Sequence, residues 1–207
     1  AVALDVTGNV YIAEVSMTVG QIDKWTVANN SVTTLVSSGL LPSYGVAVDR
    51  AGNVHFSDAG NCALNKWTAA NNSVSTLVAS GLNLPEGVAV DGAGNVYIAD
   101  TGNTAIKKWT AASSNVTMVT SAGLNVPRGV AVDAAGNIYI ADSGNSAIKK
   151  WTAANNAVTT LVSSGLNQPW GVAVDGAGNV YIADSGNNAI KELPRAFVDP
   201  TARWEPA

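Results

Sequence analysis

Fifteen carboxylates, eleven Lys and Arg, one histidine and one cysteine are the side chains in this 207-residue chain that acid–base, nucleophilic or metal chemistry would use. Ten of the fifteen acids recur at fixed places. Asp5, Asp49, Asp91, Asp133 and Asp175 close the phrase GVAVD or its variants, and Glu14, Asp58, Asp100, Asp142 and Asp184 close NVYIAD or its variants. An aspartate ahead of a Gly-Asn turn accepts backbone N–H bonds two residues on and fixes the turn, so these ten are expected to serve the scaffold. The other acids are Asp23, Glu86, Glu192, Asp199 and Glu205, and of these only Glu86 is expected to face a site. His55 stands where other copies carry Tyr11, Tyr97, Tyr139 and Tyr181, which points to a packed, hydrogen-bonded ring. One histidine cannot supply the cluster a zinc site needs. Cys62 has no partner for a disulfide and takes the place of Thr104, Ser146 and Asn188, as a small neutral substitute. No Ser/His/Asp set, phosphate loop or Cys pair is present, and no catalytic residue is assigned.

These residues are carried by repeats. The Asp of GVAVD and the Asn opening NVYIAD (Asn9, Asn53, Asn95, Asn137, Asn179) return every 42 residues, except that the first interval is 44. The two extra residues fall within Val15–Gln21. A Trp after Lys marks Trp25, Trp67, Trp109 and Trp151, with Leu193 in the last copy. A fixed period of this length signals a repeat architecture. Each repeat holds four runs rich in Val, Ile, Tyr and Thr, separated by Gly-Asn turns or an AANN loop. The short connections favour antiparallel hairpins over crossovers. No segment has sustained helical periodicity. A four-stranded meander needs both faces covered and its edges protected, and stacking neighbours around a ring does both. The expected fold is all-β: a β-propeller of five four-stranded antiparallel blades around a central channel. The alternative is a fragment of a six-bladed or larger propeller.

The pattern P-x-GVAVD-x-x-GN-VYIAD-x-GN-x-AIKKW resembles the NHL repeat of six-bladed propellers, across roughly residues 1–193. The departure is the count, five copies rather than six. Repeats start near 1, 45, 87, 129 and 171; residues 1–198 are expected to be the propeller and 199–207 a C-terminal tail or linker. The last copy has only three strand signals, so its outer strand is expected from the tail, at Arg195–Val198. In propellers of this kind, the resemblance implies, the loop into the first strand of each blade opens beside the loop between the second and third strands, on the face where ligands bind. The residue ahead of the Gly in the first of these loops is Tyr44, Glu86, Arg128 or Trp170. Two aromatics, an acid and a base at one equivalent place satisfy no shared backbone requirement, so these four are the candidate ligand-binding residues. Trp and Tyr suit sugar rings and peptide side chains, while Glu86 and Arg128 suit hydroxyls or a carboxylate. The second loop adds Asn61, Asn103, Asn145 and Asn187, expected mainly as turn formers. The four Lys-Trp pairs are expected to pack between blades, with the Lys stem alongside.

Net charge is −4 with a pI near 4.8, the wrong sign for phosphate-backbone binding. No apolar run reaches the roughly 20 residues that span a bilayer. Charged residues are only 13%, leaving the surface to Asn, Ser, Thr and Gly, a dressing common in extracellular bacterial proteins. The expected function is a non-enzymatic binding or interaction module for a peptide, protein or glycan ligand, extracellular or periplasmic, attached to other domains of a longer parent chain. Neither nucleic acid nor membrane is expected as a partner, and no cofactor. The first alternative is a metal-dependent, lactonase-like hydrolase. Its support is the Pro85-Glu86-Gly87 segment, which resembles that of gluconolactonase-type propellers, where acidic and Asn side chains hold a divalent metal in the channel; Glu86 is the metal candidate. The histidines on which amidating and streptogramin lyases depend have no counterparts. The second alternative is a structural, self-assembling repeat protein.

Overall fold

Each repeat folds on itself because its β-prone runs are joined by turns too short for anything but hairpins. The structure, a computed structural model, describes residues 1–15 and 20–198. It divides into two compact units, Ala1–Ser121 and a second beginning at Ala122. In the first unit, blade 1 comprises β1 (Val2–Leu4), β2 (Val10–Val15), β3 (Gly20–Thr26) and β4 (Ser31–Val36). Blade 2 comprises β5 (Val46–Val48), β6 (Val54–Asp58), β7 (Ala63–Thr68) and β8 (Ser73–Val78). Blade 3 comprises β9 (Pro85–Val90), β10 (Val96–Asp100), β11 (Ala105–Thr110) and β12 (Asn115–Thr120). In the second unit, blade 4 comprises β13 (Pro127–Val132), β14 (Ile138–Asp142), β15 (Ala147–Thr152) and β16 (Ala157–Val162). Blade 5 comprises β17 (Pro169–Val174), β18 (Val180–Asp184) and β19 (Ala189–Leu193). Every blade is an antiparallel meander in chain order. This is the expected all-β propeller fold, with five blades.

The expected outer strand of the last blade is not formed. Arg195–Val198 is a single helical turn, α1, and blade 5 has three strands among the described residues. The cause lies in the missing turn. Before the outer strands of blades 1 to 4 the chain reverses through a left-handed residue, Asn30, Asn72, Ser114 or Asn156, at φ 53°, 54°, 56° and 57°. The equivalent place in blade 5 is Val198, a β-branched residue for which that conformation is costly. Of the irregular stretch Val15–Gln21, residues 16–19 lie outside the described residues, as does the tail 199–207. No helix among the described residues is long and apolar enough to cross a membrane.

The second strands β6, β10 and β14 are buried along their whole length. Within each unit the core lies between neighbouring blades. Tyr11, Ala13 and Ile22 of blade 1 pack with Val54, Phe56 and Trp67 of blade 2. Leu64 and Val78 of blade 2 pack with Ile98 and Trp109 of blade 3. Tyr139 and Ile148 of blade 4 pack with Val180 and Ile182 of blade 5, and Val198 of α1 joins them. Trp67 and Trp109 therefore pack between blades, as expected. The lysine beside them, Lys108, and its equivalents Lys24 and Lys150 lie over Tyr97, Tyr11 and Tyr139, 5.3, 5.3 and 5.5 Å from the ring centroids.

The GVAVD aspartates hold the first turn of every blade. Asp91 Oδ1 accepts the N–H groups of Ala93 and Asn95, each at 2.9 Å, and its Oδ2 accepts Asn95 Nδ2 and the Tyr97 hydroxyl. The asparagine then reaches outward: Asn95 Oδ1 accepts Ala111 N–H at 3.1 Å, tying the first turn to the third. The same bonds recur around Asp5, Asp49, Asp133 and Asp175. In blade 2, His55 replaces the tyrosine, is 2% exposed, and places Nε2 3.2 Å from Asp49 Oδ2. Its Nδ1 has no hydrogen-bond partner. Burial pushes the His55 pKa below its ordinary 6.5, against the pull of the Asp49 carboxylate.

With a folded-state pKa below the unfolded one, His55 takes up its proton in the unfolded chain first. Stability is unaffected by this group above pH 6.5 and falls as the pH drops below 6.5 toward the folded value. His55→Tyr, which restores the residue of the other blades, should remove that loss. The check is denaturation at a series of pH values between 7 and 5, in which the difference between wild type and variant should grow as the pH falls.

Candidate functional site

The two loops expected to share a face are bonded to each other in blades 2 to 5. In blade 3, Asn83 N–H donates to Asp100 Oδ1 at 2.7 Å, Gly102 N–H donates to Asn83 O at 2.8 Å, and Asn103 Nδ2 lies 3.5 Å from Gly81 O and 2.8 Å from Asp100 Oδ2. The same contacts recur through Asn125, Asp142, Gly144 and Asn145 in blade 4, and through Asn167, Asp184, Gly186 and Asn187 in blade 5. The second set of aspartates thus does a different job from the one expected. They accept the amide of the incoming loop rather than fixing only their own turn, and Asn103, Asn145 and Asn187 are spent on the same junction.

A lysine completes each of these junctions. Lys107 Nζ lies 2.6 Å from Asp100 Oδ2, Lys149 Nζ 2.9 Å from Asp142 Oδ2, and Lys191 Nζ 2.6 Å from Asp184 Oδ2. All three aspartates are fully buried. Each ammonium also donates to a loop carbonyl, of Gly81, Gly123 or Gly165. Alternation along AIKKW separates the two lysines: Lys107 faces the junction and Lys108 the tyrosine. The residues equivalent to Lys107 in blades 1 and 2 are Asp23 and Asn65.

In blades 3 to 5 the variable residue sits on the inner strand at a β-bulge, while Tyr44 of blade 2 lies just ahead of β5. Pro127 pairs with Asp142 and Gly129 with Ala141, so Arg128 is an extra residue against a single step of β14. Trp170 is extra in the same way between Pro169 and Gly171, and the register of β9 on β10 shifts across Glu86. A bulge re-aims one side chain and frees it from the ladder's facing rule, which is why an acid, a base and an aromatic are tolerated at one place in blades 3 to 5. The Gly that follows is constrained by its neighbour. A Cβ on Gly129 would lie 2.6 Å from Trp170 O, and one on Gly45 would overlap Glu86 O and lie 2.8 Å from Val88 N. Ahead of the bulge the chain is strained: Leu84, Val126 and Gln168 have φ of 46°, 50° and 46°. For β-branched Val126 this is costly, on the order of 1–3 kcal/mol. Blade 2 has Pro42 at this place, which cannot adopt such a φ, and β5 begins only at Val46.

Of the four candidates, Arg128 and Trp170 are brought together. The Arg128 guanidinium carbon lies 4.3 Å from the Trp170 ring centroid, and Trp170 is 46% exposed. Tyr44 is 36% exposed; Glu86 is half-buried, its carbonyl against Gly45. Among the described residues no three His, Cys, Asp or Glu side chains gather as a metal centre would require, so the metal alternative rests on Glu86 and the neutral groups around it. The bulge had no sequence signal of its own, because Pro-x-Gly also marks an ordinary turn. The Lys–Asp pairing did have one, in the recurrence of Lys107, Lys149 and Lys191 at one place in the last three repeats.

Comparison with known proteins agrees with this architecture. The NHL repeat family matches residues 82–109, 124–151 and 166–193. The chain belongs to the NHL-repeat β-propellers. No curated protein matches it in sequence. Among solved structures it is similar to a chain of a nidogen/laminin complex, with TM-score 0.80 and 20% identity over 91% of this chain and 75% of that one. It is also similar to an inactive virginiamycin B lyase from Staphylococcus aureus solved with quinupristin, with TM-score 0.72 and 15% identity over 94% and 69%. A third is a protein of unknown function from Bacteroides thetaiotaomicron, with TM-score 0.75 and 19% identity over 92% and 57%. At these identities the likeness is one of fold.

Breaking a buried junction should be felt throughout its blade. Lys107→Met leaves the Asp100 carboxylate with amide partners only and should cost about 3 kcal/mol of unfolding free energy. Chemical denaturation checks this, with exposed Thr117→Ala on β12 as a control expected to change stability by less than about 0.5 kcal/mol.

Proposed function

We propose that this chain is a non-enzymatic binding module that presents its variable bulge residues to a peptide or protein. The observation that carries this is the stacked Arg128–Trp170 pair. Trp, Tyr and Arg are the residues that dominate protein-binding energetics, because each offers a large, rigid surface with a polar edge. Here an Arg and a Trp stand on neighbouring inner strands, on rigid strand backbone, with much of the indole exposed. Pre-ordered stacking lowers the entropy lost on binding. Tyr44 and Glu86 occupy the equivalent places in blades 2 and 3. The likeness in fold to a chain in a nidogen/laminin complex, a protein–protein assembly, is in keeping with this reading. The Asn-, Ser- and Thr-rich surface favours an extracellular or periplasmic setting.

A displayed random-peptide library selected on the wild-type protein, run beside a glycan array, tests the proposal. Selected peptides should lose affinity about tenfold or more on Trp170→Ala and on Arg128→Ala, and keep it on Thr160→Ala at the exposed outer strand of blade 4. Selected ligands that bind both variants as tightly as wild type would contradict the site. Binding to the glycan array alone would replace the peptide by a carbohydrate.

A further inference from the structure

Blades 3, 4 and 5 each close a small polar cage with an ammonium ion. In blade 3 the cage oxygens are Asp100 Oδ2 and Gly81 O; Lys107 Nζ donates to both, and Asn103 Nδ2 lies 2.8 and 3.5 Å from the same two atoms. The lysine charge offsets the desolvation of a fully buried carboxylate.

Blade 2 keeps the cage and lacks the cationic side chain. Asp58 is 2% exposed, and Asn61 Nδ2 lies 2.9 Å from Asp58 Oδ2 and 3.4 Å from Gly39 O, so the two oxygens are bracketed as in blade 3. The lysine place holds Asn65, whose side chain is two atoms shorter. Its Nδ2 lies 3.4 Å from Asp58 Oδ2, while its Oδ1 is buried without a hydrogen-bond donor, the residue being 6% exposed. The hydrogen-bond donors to Asp58 are neutral: the N–H groups of Leu41 and Asn61 and the amides of Asn61 and Asn65. A buried acceptor without a donor and a buried carboxylate without a counter-charge are both costly. One cation at the ammonium position relieves both, once the Asn65 amide turns its oxygen inward. Gly39 and Asn61 are exposed, which leaves the position open to ions from solution.

We propose that Asp58 Oδ2, Asn65 Oδ1 and Gly39 O of blade 2 bind a hard inorganic cation, which takes over the role of the lysine ammonium in blades 3 to 5. One carboxylate with neutral oxygens suits Ca²⁺, Mg²⁺, K⁺ or Na⁺ and disfavours thiophilic metals. Water completes the coordination from the open side. The site is structural and independent of the Arg128–Trp170 surface.

The test is thermal unfolding of chelator-treated protein in choline chloride, with CaCl₂, MgCl₂, KCl or NaCl replacing choline at constant ionic strength. At least one cation should raise the midpoint saturably, by about 3–6 °C at ten times its Kd. Asn65→Lys restores the residue of the other blades; it should melt higher than wild type in choline and show no saturable response. Asp58→Asn should also show none. A wild-type midpoint indifferent to all four cations would overturn the proposal, as would an Asn65→Lys variant that keeps the wild-type response.

Discussion

At Gly45 the backbone of one inner strand touches that of the next, where a Cβ would overlap the Glu86 carbonyl oxygen and stand 2.8 Å from Val88 N. Gly129 repeats the contact against Trp170 O at 2.6 Å. Only a residue without a side chain fits there, and the blades of each unit are spaced by it. At Gly129 the bulge immediately before the glycine delivers the backbone to the contact. Its extra residue is left outside the ladder, and its side chain is released from any packing duty the repeat imposes. One constraint therefore produces both the most rigid position of the repeat and, beside it, the most permissive.

Around that contact the charged residues are organised in two tiers. The GVAVD aspartates accept amides from their own turn and, through Asn9, Asn53, Asn95, Asn137 and Asn179, bind the outer loops. In blades 3 to 5 the second aspartates, with their lysines, bind the incoming loop to the loop after the second strand. Between them these bonds hold fixed the strand ends that carry Arg128 and Trp170. A chain with so few charges spends most of its acids on architecture.

Much of this was legible in the sequence. The 42-residue period, the short turns and the β-rich runs define the blades, and the tyrosine-to-histidine exchange at position 55 correctly marks a packed ring. The four variable residues stood out because the copies disagree there. The bulge that explains the freedom of Glu86, Arg128 and Trp170 could not be read, because Pro-x-Gly is also the signature of a plain turn. The partner of Lys107 was missed because the pairing is diagonal across two strands and depends on register: Lys107 stands opposite Ile98, two residues from Asp100. The last outer strand was expected at Arg195–Val198 on the strength of the meander, but with β-branched Val198 at the place of the left-handed turn residue the chain makes a helical turn instead.

The central claim is that the residue before the glycine is released from the scaffold while the glycine is bound to it. A saturation scan of positions 128, 129 and 170, scored by the yield of folded protein, tests this most directly. The account requires that Arg128 and Trp170 accept most side chains with little loss of folded protein, while Gly129 accepts almost none. If positions 128 and 170 proved as intolerant as 129, the variable residues would be part of the scaffold and the binding face would have to be sought elsewhere.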